Sequence, residues 1–207
     1  MPQPRHGALI VVACTLLAAT PAAAVPLTPP RAGQVGIGGQ LGFGALFGGG
    51  AFAENIGGGA SYAVHLRYRM RYERAIGLSF ESTRYDVTNP TRLVPGADST
   101  IAPERIMGTL SGLDVYQLFG TRTATVKMIS LSAGIAQERV KLNDGEIELS
   151  GQFSGDAFFL GAGGAIERYV FRSTALDLSV RYHAIFREGT PHHDVQAALG
   201  VIIYAGY

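Results

Sequence analysis

The 207-residue sequence contains no tryptophan, and its only cysteine, Cys14, lies close to the amino terminus. No disulfide can form beyond that position, so cysteine usage gives no information about the redox compartment. Neither sign of charge dominates, because 17 Lys and Arg residues face 16 Asp and Glu residues. The sequence therefore has neither the basic surface typical of nucleic-acid binding nor an acidic disordered tail, and we expect no nucleic-acid partner.

Glycine, in contrast, is abundant. The chain has 28 glycines, well above the average usage of about 7%. They follow no Gly-X-Y period, which excludes a collagen helix. Tyr and Phe are the only aromatic residues, and the length fits one domain.

The first 24 residues have the layout of a secretory signal peptide. Arg5 gives a basic start, an apolar run covers residues 7–19, and small residues stand at Ala22 and Ala24. This layout predicts cleavage after Ala24. A membrane anchor needs about 20 apolar residues, and threonines and a proline interrupt this run. Cys14 is a weaker lipoprotein candidate, because the apolar run continues past it.

Two segments follow the signal peptide. Residues 25–33 form a proline-rich periplasmic lead-in, and residues 34–207 form the remaining domain. In that domain apolar residues alternate with small or polar ones, most cleanly in "LDLSVRYHAIFR". Five such segments, with less regular ones near 104–120, 123–140 and 156–171, predict eight strands. We interpret phase breaks around Gly112 in "LSGLDVYQLFG", around Lys127 and in "AIERYVF" as bulges or strand ends.

Side-chain size indicates which face points inward. The polar face mixes Gly, Ser and Ala with a few long charged residues, which the narrow interior of an eight-stranded barrel accepts. The other face is Val, Ile, Leu, Phe and Tyr with almost no charge, which suits hydrocarbon. A closed barrel also leaves no backbone group unpaired in lipid. We therefore predict an all-β fold, an eight-stranded antiparallel transmembrane up-and-down β-barrel.

The connections support this orientation. Short connections follow strands 2, 4 and 6, whereas long ones follow strands 1, 3 and 5. Outer-membrane barrels show this alternation, with short periplasmic turns and long external loops. Aromatic residues are expected in two girdles at the membrane interfaces. They are Tyr68, Tyr72, Phe119, Phe171 and Tyr207 at the short-turn end, and Phe43, Tyr62, Phe158 and Phe186 toward the loops.

With its signal peptide, its alternating strands and the terminal "ALGVIIYAGY", the chain resembles the small OmpA-, OmpX- and OmpW-like outer-membrane β-barrels of Gram-negative bacteria. The resemblance covers residues 34–207 and is architectural. It implies that the last strand with Tyr207 is an assembly signal for the barrel-assembly machinery, and that outer-membrane lipid and lipopolysaccharide surround the protein. No peptidoglycan-binding domain follows the barrel, so a wall-anchoring role is not expected.

The predicted lumen face carries charged side chains of both signs. A buried charge without a partner is very costly, so we expect an ion-paired, largely plugged interior. The alternative is a narrow porin-like or OmpW-like conduit, with an opening near the phase breaks. The predicted network consists of His65, Arg67, Arg69, Glu81, Glu138, Glu167, Asp177, Arg181, His183, Arg187 and Asp194.

Catalytic and metal-binding interpretations are weaker. Asp177, Ser179 and His183 share one strand face, but at about 3.3 Å per residue they lie too far apart to form a triad. Lipid A deacylases share the barrel, yet the Ser of their motif is absent after His183. The stretch "PHHD" at 191–194 is interpreted as a loop rather than a metal site. We therefore expect a structural or surface-interaction protein, not an enzyme, with no cofactor or metal.

Overall fold

The computed structural model describes residues 31–48, 56–71, 73–87, 103–142, 145–146, 155–186 and 191–205. The predicted signal peptide with its predicted cleavage site at Ala24, most of the predicted lead-in, Arg187 and Tyr207 lie outside these residues. Within the described part of the chain, no helix is long and apolar enough to cross a membrane.

Eight long antiparallel strands and one two-residue strand make up the fold. The short strand, β6, extends a hairpin from the end of β5. The strands are β1 (Val35–Phe47), β2 (Gly58–Arg69), β3 (Arg74–Asp86), β4 (Pro103–Phe119), β5 (Thr125–Leu142), β6 (Gly145–Glu146), β7 (Gly155–Tyr169), β8 (Thr174–Phe186) and β9 (His192–Ala205).

The long strands close into a barrel. Each pairs with its neighbour along the chain, and β1 pairs with β9 over the whole length of β1. The shear can be read by starting at Val35 of β1 and moving to the paired residue on each next strand in turn. After one circuit of the barrel this path returns to β1 at Ala45, so the shear is ten residues. With eight strands, this stagger leaves an interior that side chains can fill. The predicted fold class is confirmed.

Alternation along each strand separates an apolar outside from a mainly polar inside. Along β2, for example, the outward Tyr62, Val64 and Leu66 are each more than 40% exposed, whereas Ala63 and His65 between them are buried. The same alternation runs through β8 and most of β9. An apolar side chain on this barrel is therefore found mostly on its outer surface, the reverse of a water-soluble protein.

The bulges predicted in β4 and β5 are wrong. The two strands pair without interruption from Arg105 to Phe119, and their register shift lies between Pro103 and Arg105. Gly112 lies directly opposite Gly134. Side chains at these glycines would collide with the Phe159 ring, because a Cβ at either position would lie 2.8 Å from it. The expected opening beside Gly112 is therefore a paired wall, and Phe159 fills the space in front of it.

The phase breaks have a different cause, which is that part of the lumen is apolar. Near the short turns, large apolar side chains point inward, so strand parity is kept while the polarity pattern is lost. Lys127 accordingly points outward between buried neighbours on β5. The inward cluster contains Ala75, Tyr116, Leu118, Val126, Met128, Tyr169, Ala175, Ile202 and Tyr204.

Short turns join the strands at one end of the barrel. They connect β2 to β3, β4 to β5 and β7 to β8, and both described ends of the chain lie at the same end. The first of them contains Glu73, whose φ of 57° is unusual for a residue with a side chain. Its carbonyl accepts from the Leu118 amide (2.7 Å) and its carboxylate from the Thr121 hydroxyl (2.7 Å), so the neighbouring turn holds it in place.

Candidate functional site

The barrel interior contains the predicted charged residues that the structure describes. Each of them is at most 6% exposed. Arg187 lies outside the described residues and cannot be placed. The buried ones are His65, Arg67, Arg69, Glu81, Glu138, Glu167, Asp177, Arg181, His183 and Asp194.

Nearest the short turns, two arginines of β2 converge on Glu167 of β7. Arg67 forms an ion pair with Oε1 of Glu167, and Arg69 binds Oε2 at 2.5 Å. The Tyr204 hydroxyl donates to Glu167 Oε1 (2.6 Å) and accepts from Arg67 (3.2 Å). The Arg69 guanidinium also lies 4.3 Å from the centre of the Tyr204 ring, within cation–π range. This carboxylate therefore has a partner on each oxygen.

Gln40 of β1 connects this cluster to the middle of the barrel. Its amide nitrogen donates to Asp177 (2.7 Å), and its amide oxygen lies 3.0 Å from His65 Nε2. The Ser179 hydroxyl donates to the same oxygen (3.2 Å). Arg181 lies 3.4 Å from His65 Nδ1. A guanidinium can only donate, so the imidazole proton is on Nε2, facing Gln40.

Arg181 of β8 is the centre of the middle cluster. It binds Glu81 of β3 at 2.7 Å and lies 3.5 Å from Asp114 of β4. Tyr116 donates to Asp114 (3.0 Å) and accepts from Arg181 (3.4 Å). The Arg67 guanidinium stacks over the same Tyr116 ring at 4.4 Å. The lower and middle clusters are thus joined by both a hydrogen-bonded amide and a shared aromatic ring.

Toward the loops, His183 lies between two carboxylates. Its Nε2 is 3.8 Å from Glu81, and its Nδ1 is 3.4 Å from Asp194. Asp194 also accepts from Tyr85 (2.8 Å) and Gln196 (2.7 Å). Further along, His192 lies 3.8 Å from Glu138. Polar contacts therefore follow one another along the lumen, from Glu167 near the turns to the loop side.

Among the described residues, a cavity of about 10 Å³ lies beside Thr83, Tyr85, Glu138 and Gln196, which is room for about one water molecule. At the short-turn end the apolar cluster around Leu118 and Met128 lies in the lumen. The ion pairs cross-link strands that are not neighbours in the sheet, from β2 to β7 and from β3 to β8.

Several solved structures have a similar fold. Neisserial surface protein A has a TM-score of 0.61 and 16% identity, over 83% of this chain and 98% of that one. Ail, the attachment invasion locus protein of Yersinia pestis, has a TM-score of 0.53 and 11% identity, over 84% of this chain and 100% of that one. A major outer membrane protein of Thermus thermophilus has a TM-score of 0.59 and 12% identity, over 84% of this chain and 100% of that one. No family model and no curated protein sequence matches.

The chain has the fold of the small outer-membrane β-barrels. Among the described residues, the charged groups buried in this barrel are not evenly divided between the two signs. Buried there are six carboxylates, three arginines and three histidines. Toward the loops, Arg181 pairs with Glu81 and lies near Asp114, whereas Asp194 lies near His183.

Several partners of the network were missed from the sequence, and Gln40, Asp114 and Tyr116 show why. Gln40 lies among glycines, while Asp114 and Tyr116 lie in a segment interpreted as irregular. Strict parity on β4 would have found the last two, because they occupy inward positions with Leu110 and Leu118. The uniform apolar–polar pattern was the wrong signal in this part of the barrel, since its interior is partly apolar.

The residues considered for catalysis or metal binding are held by different partners. Asp177 and Ser179 both bind Gln40, whereas His183 faces Glu81 and Asp194. In "PHHD", His193 points outward, stacks on Phe47 (5.7 Å) and lies 2.6 Å from the Tyr182 hydroxyl. Among the described residues, no group of three or more His, Cys, Asp or Glu side chains is placed to hold a metal ion.

Proposed function

We propose that the protein is an outer-membrane β-barrel of a Gram-negative-type bacterium, exported by a cleaved signal peptide, with a structural or surface-interaction role. The apolar outer wall carries this proposal. Leu41 is 73% exposed, Leu113 66% and Leu131 64%, within a continuous set of outward apolar residues. Exposed apolar areas of this extent are found on surfaces that meet a membrane or a protein partner, and the closed backbone satisfies the requirement of hydrocarbon.

The filled lumen supports a non-conducting role. Buried ion pairs and an apolar seal occupy the interior, so the protein acts through its outer wall and its long connections. Two proteins with this fold are described as a surface protein and as an attachment invasion locus protein. We carry over only the idea that long connections at one end contact partners outside the cell.

Single-channel conductance in planar bilayers tests the plugged lumen. We expect no steady openings from the wild-type protein. The alternative, a narrow conduit, predicts openings whose ion selectivity changes on Arg181→Glu or Glu81→Arg but not on Arg84→Glu, which is outward and exposed. Wild-type openings with that pattern would contradict the plug.

Membrane location is tested separately. We expect the mature chain in outer-membrane fractions, with migration on gels that changes on heating, as folded barrels show. Recovery as a folded monomer in the absence of detergent would contradict the proposal. Signal cleavage after Ala24 predicts that the amino-terminal sequence of the mature protein begins at Val25.

The proposal also covers how the barrel is assembled and whether the protein acts as an enzyme. We expect the barrel-assembly machinery to recognise the last strand, so deleting Tyr207 should slow assembly while deleting residues of the lead-in should not. Outer-membrane lipid and lipopolysaccharide are the partners of the wall. The protein is not proposed to modify them, and overexpression should leave the mass spectrum of lipopolysaccharide unchanged.

A further inference from the structure

The charged side chains on the outside of the barrel are distributed unevenly between its two ends. Toward the loops, outward Arg84 and Arg139 are matched by outward Asp86 and Asp156. At the short-turn end, Glu73 is the one carboxylate among the described outward residues. The cations there, which we name the basic collar, are Arg31, Arg71, Arg74, Arg122, Lys127, Arg168 and Arg172.

Several members of the collar lie on the wall rather than in the turns. Lys127 is the third residue of β5 and lies between Phe119 and Ile166, which are both outward and over 40% exposed. Arg168, near the end of β7, is also on the outer face. Their long apolar stems can lie along the wall while the charged groups reach the interface. Cations at this height face lipid headgroups more directly than they face bulk solvent.

A groove begins at one of these cations. It has a volume of about 620 Å³ and is lined by Arg74, Val115, Gln117, Leu131 and Ala162 among others. That volume falls in the usual range for small-molecule sites, about 300–1,000 Å³. Arg74 and Gln117 pair with each other at its polar end, and the apolar side chains line the rest.

Small residues on β7 make the groove. Ala162 lies beside Leu131, and Gly164 beside Ile129, so at these two positions a bulky outward side chain on β5 faces a small residue on β7. A Cβ at Gly164 would have only one neighbour, a backbone oxygen at 3.7 Å. The space beside Ile129, which lines the groove, is therefore left open by an absent side chain rather than used for close backbone packing.

We propose that the groove and the basic collar bind an anionic phospholipid of the leaflet at the short-turn end, with the phosphate at Arg74 and an acyl chain along Val115 and Leu131 over Ala162. This rests on the proposed function, which makes that end periplasmic. Charge complementarity selects an anionic headgroup, since a cationic surface attracts anionic lipid. The apolar lining selects a lipid over a soluble anion.

The headgroup part is tested by native mass spectrometry of the full-length mature protein in mild detergent. Phosphatidylglycerol and phosphatidylcholine with the same acyl chains are added in competition. We expect wild type to favour phosphatidylglycerol, and Arg74→Gln to lower that preference about fivefold, the effect of one basic residue at an anionic surface. The matched control is Arg84→Gln, an exposed arginine of the loop end, which should keep the preference.

The acyl-chain part uses a second pair of variants. Ala162→Leu fills the groove and should reduce the bound amount of both lipids. Gly39→Leu adds the same side chain to the outer face of β1, where a Cβ meets nothing within 4 Å, and should leave lipid binding unchanged. Equal binding by wild type and Ala162→Leu would overturn the site.

Other outcomes separate this inference from the proposed function. A protein that fractionates with the outer membrane but takes both lipids equally overturns the lipid site alone, whereas absence from that fraction overturns the proposed function. The cell wall is a second anionic ligand that the basic collar could meet at this end of the barrel. Purified sacculi test this ligand. If they retain the wild-type protein but not the Arg71→Gln and Arg122→Gln variants, and if the protein shows no preference for phosphatidylglycerol, the collar binds peptidoglycan and the proposal is wrong.

Discussion

Arg181 of β8 and Glu81 of β3 form a 2.7 Å ion pair across the lumen, although 100 residues separate them in the chain. Neither strand pairs with the other. The pair therefore connects opposite parts of the wall through the interior, where both side chains are almost fully buried. It links strands that the backbone ladder does not join.

Removing one partner of this pair should destabilise the barrel. Arg181→Met leaves Glu81 and Asp114 buried without their cation, and breaking a buried pair in this way costs about 3–5 kcal/mol. Urea unfolding in lipid vesicles measures the loss. Arg84→Met, on the exposed outer face, should change the free energy of unfolding by less than about 0.5 kcal/mol. A similar decrease in the free energy of unfolding for both variants would show that the lumen ion pair does not stabilise the barrel more than an exposed side chain does.

The facing of β8 can be tested at its midpoint. Val180 is outward and 54% exposed, so Val180→Arg places a cation against hydrocarbon at a cost of about 2–4 kcal/mol at the bilayer midplane. We expect this variant to insert less into vesicles than the wild-type protein. Insertion is measured by the shift in gel migration that the folded form shows on heating. Val180→Leu at the same site should insert as well as wild type. Normal insertion of the arginine variant would mean that this face does not meet lipid.

Two glycines on the barrel should respond in opposite ways to the same substitution. A Cβ at Gly134 would lie 2.1 Å from the Ser111 carbonyl oxygen and 2.8 Å from the Phe159 ring, whereas one at Gly39 meets nothing. Gly134→Ala should therefore cost about 1–3 kcal/mol through overpacking, and Gly39→Ala should be neutral or stabilising. Denaturant midpoints compare the two. A stable Gly134→Ala variant would contradict the close packing of Phe159.

A single hydroxyl tests the cluster nearest the turns. Tyr204→Phe removes the donor to Glu167 and an acceptor for Arg67 while keeping the ring over which Arg69 stacks. A buried polar group left unsatisfied costs about 1–3 kcal/mol. Tyr68→Phe, on the outer face and 44% exposed, is the control. Unfolding curves that coincide for the two variants would show that the hydroxyl is not part of the network.

Much of this architecture can be predicted from the sequence because parity on a strand is a local property. The alternation in β8 assigns Asp177 and Arg181 to one face without knowledge of any neighbour. Their partners cannot be predicted this way. Arg67 meets Glu167 across the lumen from β2 to β7, and that meeting depends on the shear of ten residues, which no single strand carries. The method also failed where the lumen is apolar, as in β4, since polarity then no longer reports facing.

The ladder between β1 and β9 has a consequence for how the molecule is made. Its members, Val35–Phe47 and His192–Ala205, stand at opposite ends of the chain, so the cylinder cannot be completed before synthesis has passed residue 205. Until then two strand borders stay open, and such borders invite pairing with other chains. Non-local pairing of this kind is slow. Protection of these two open edges until β9 becomes available is therefore a requirement of the topology itself.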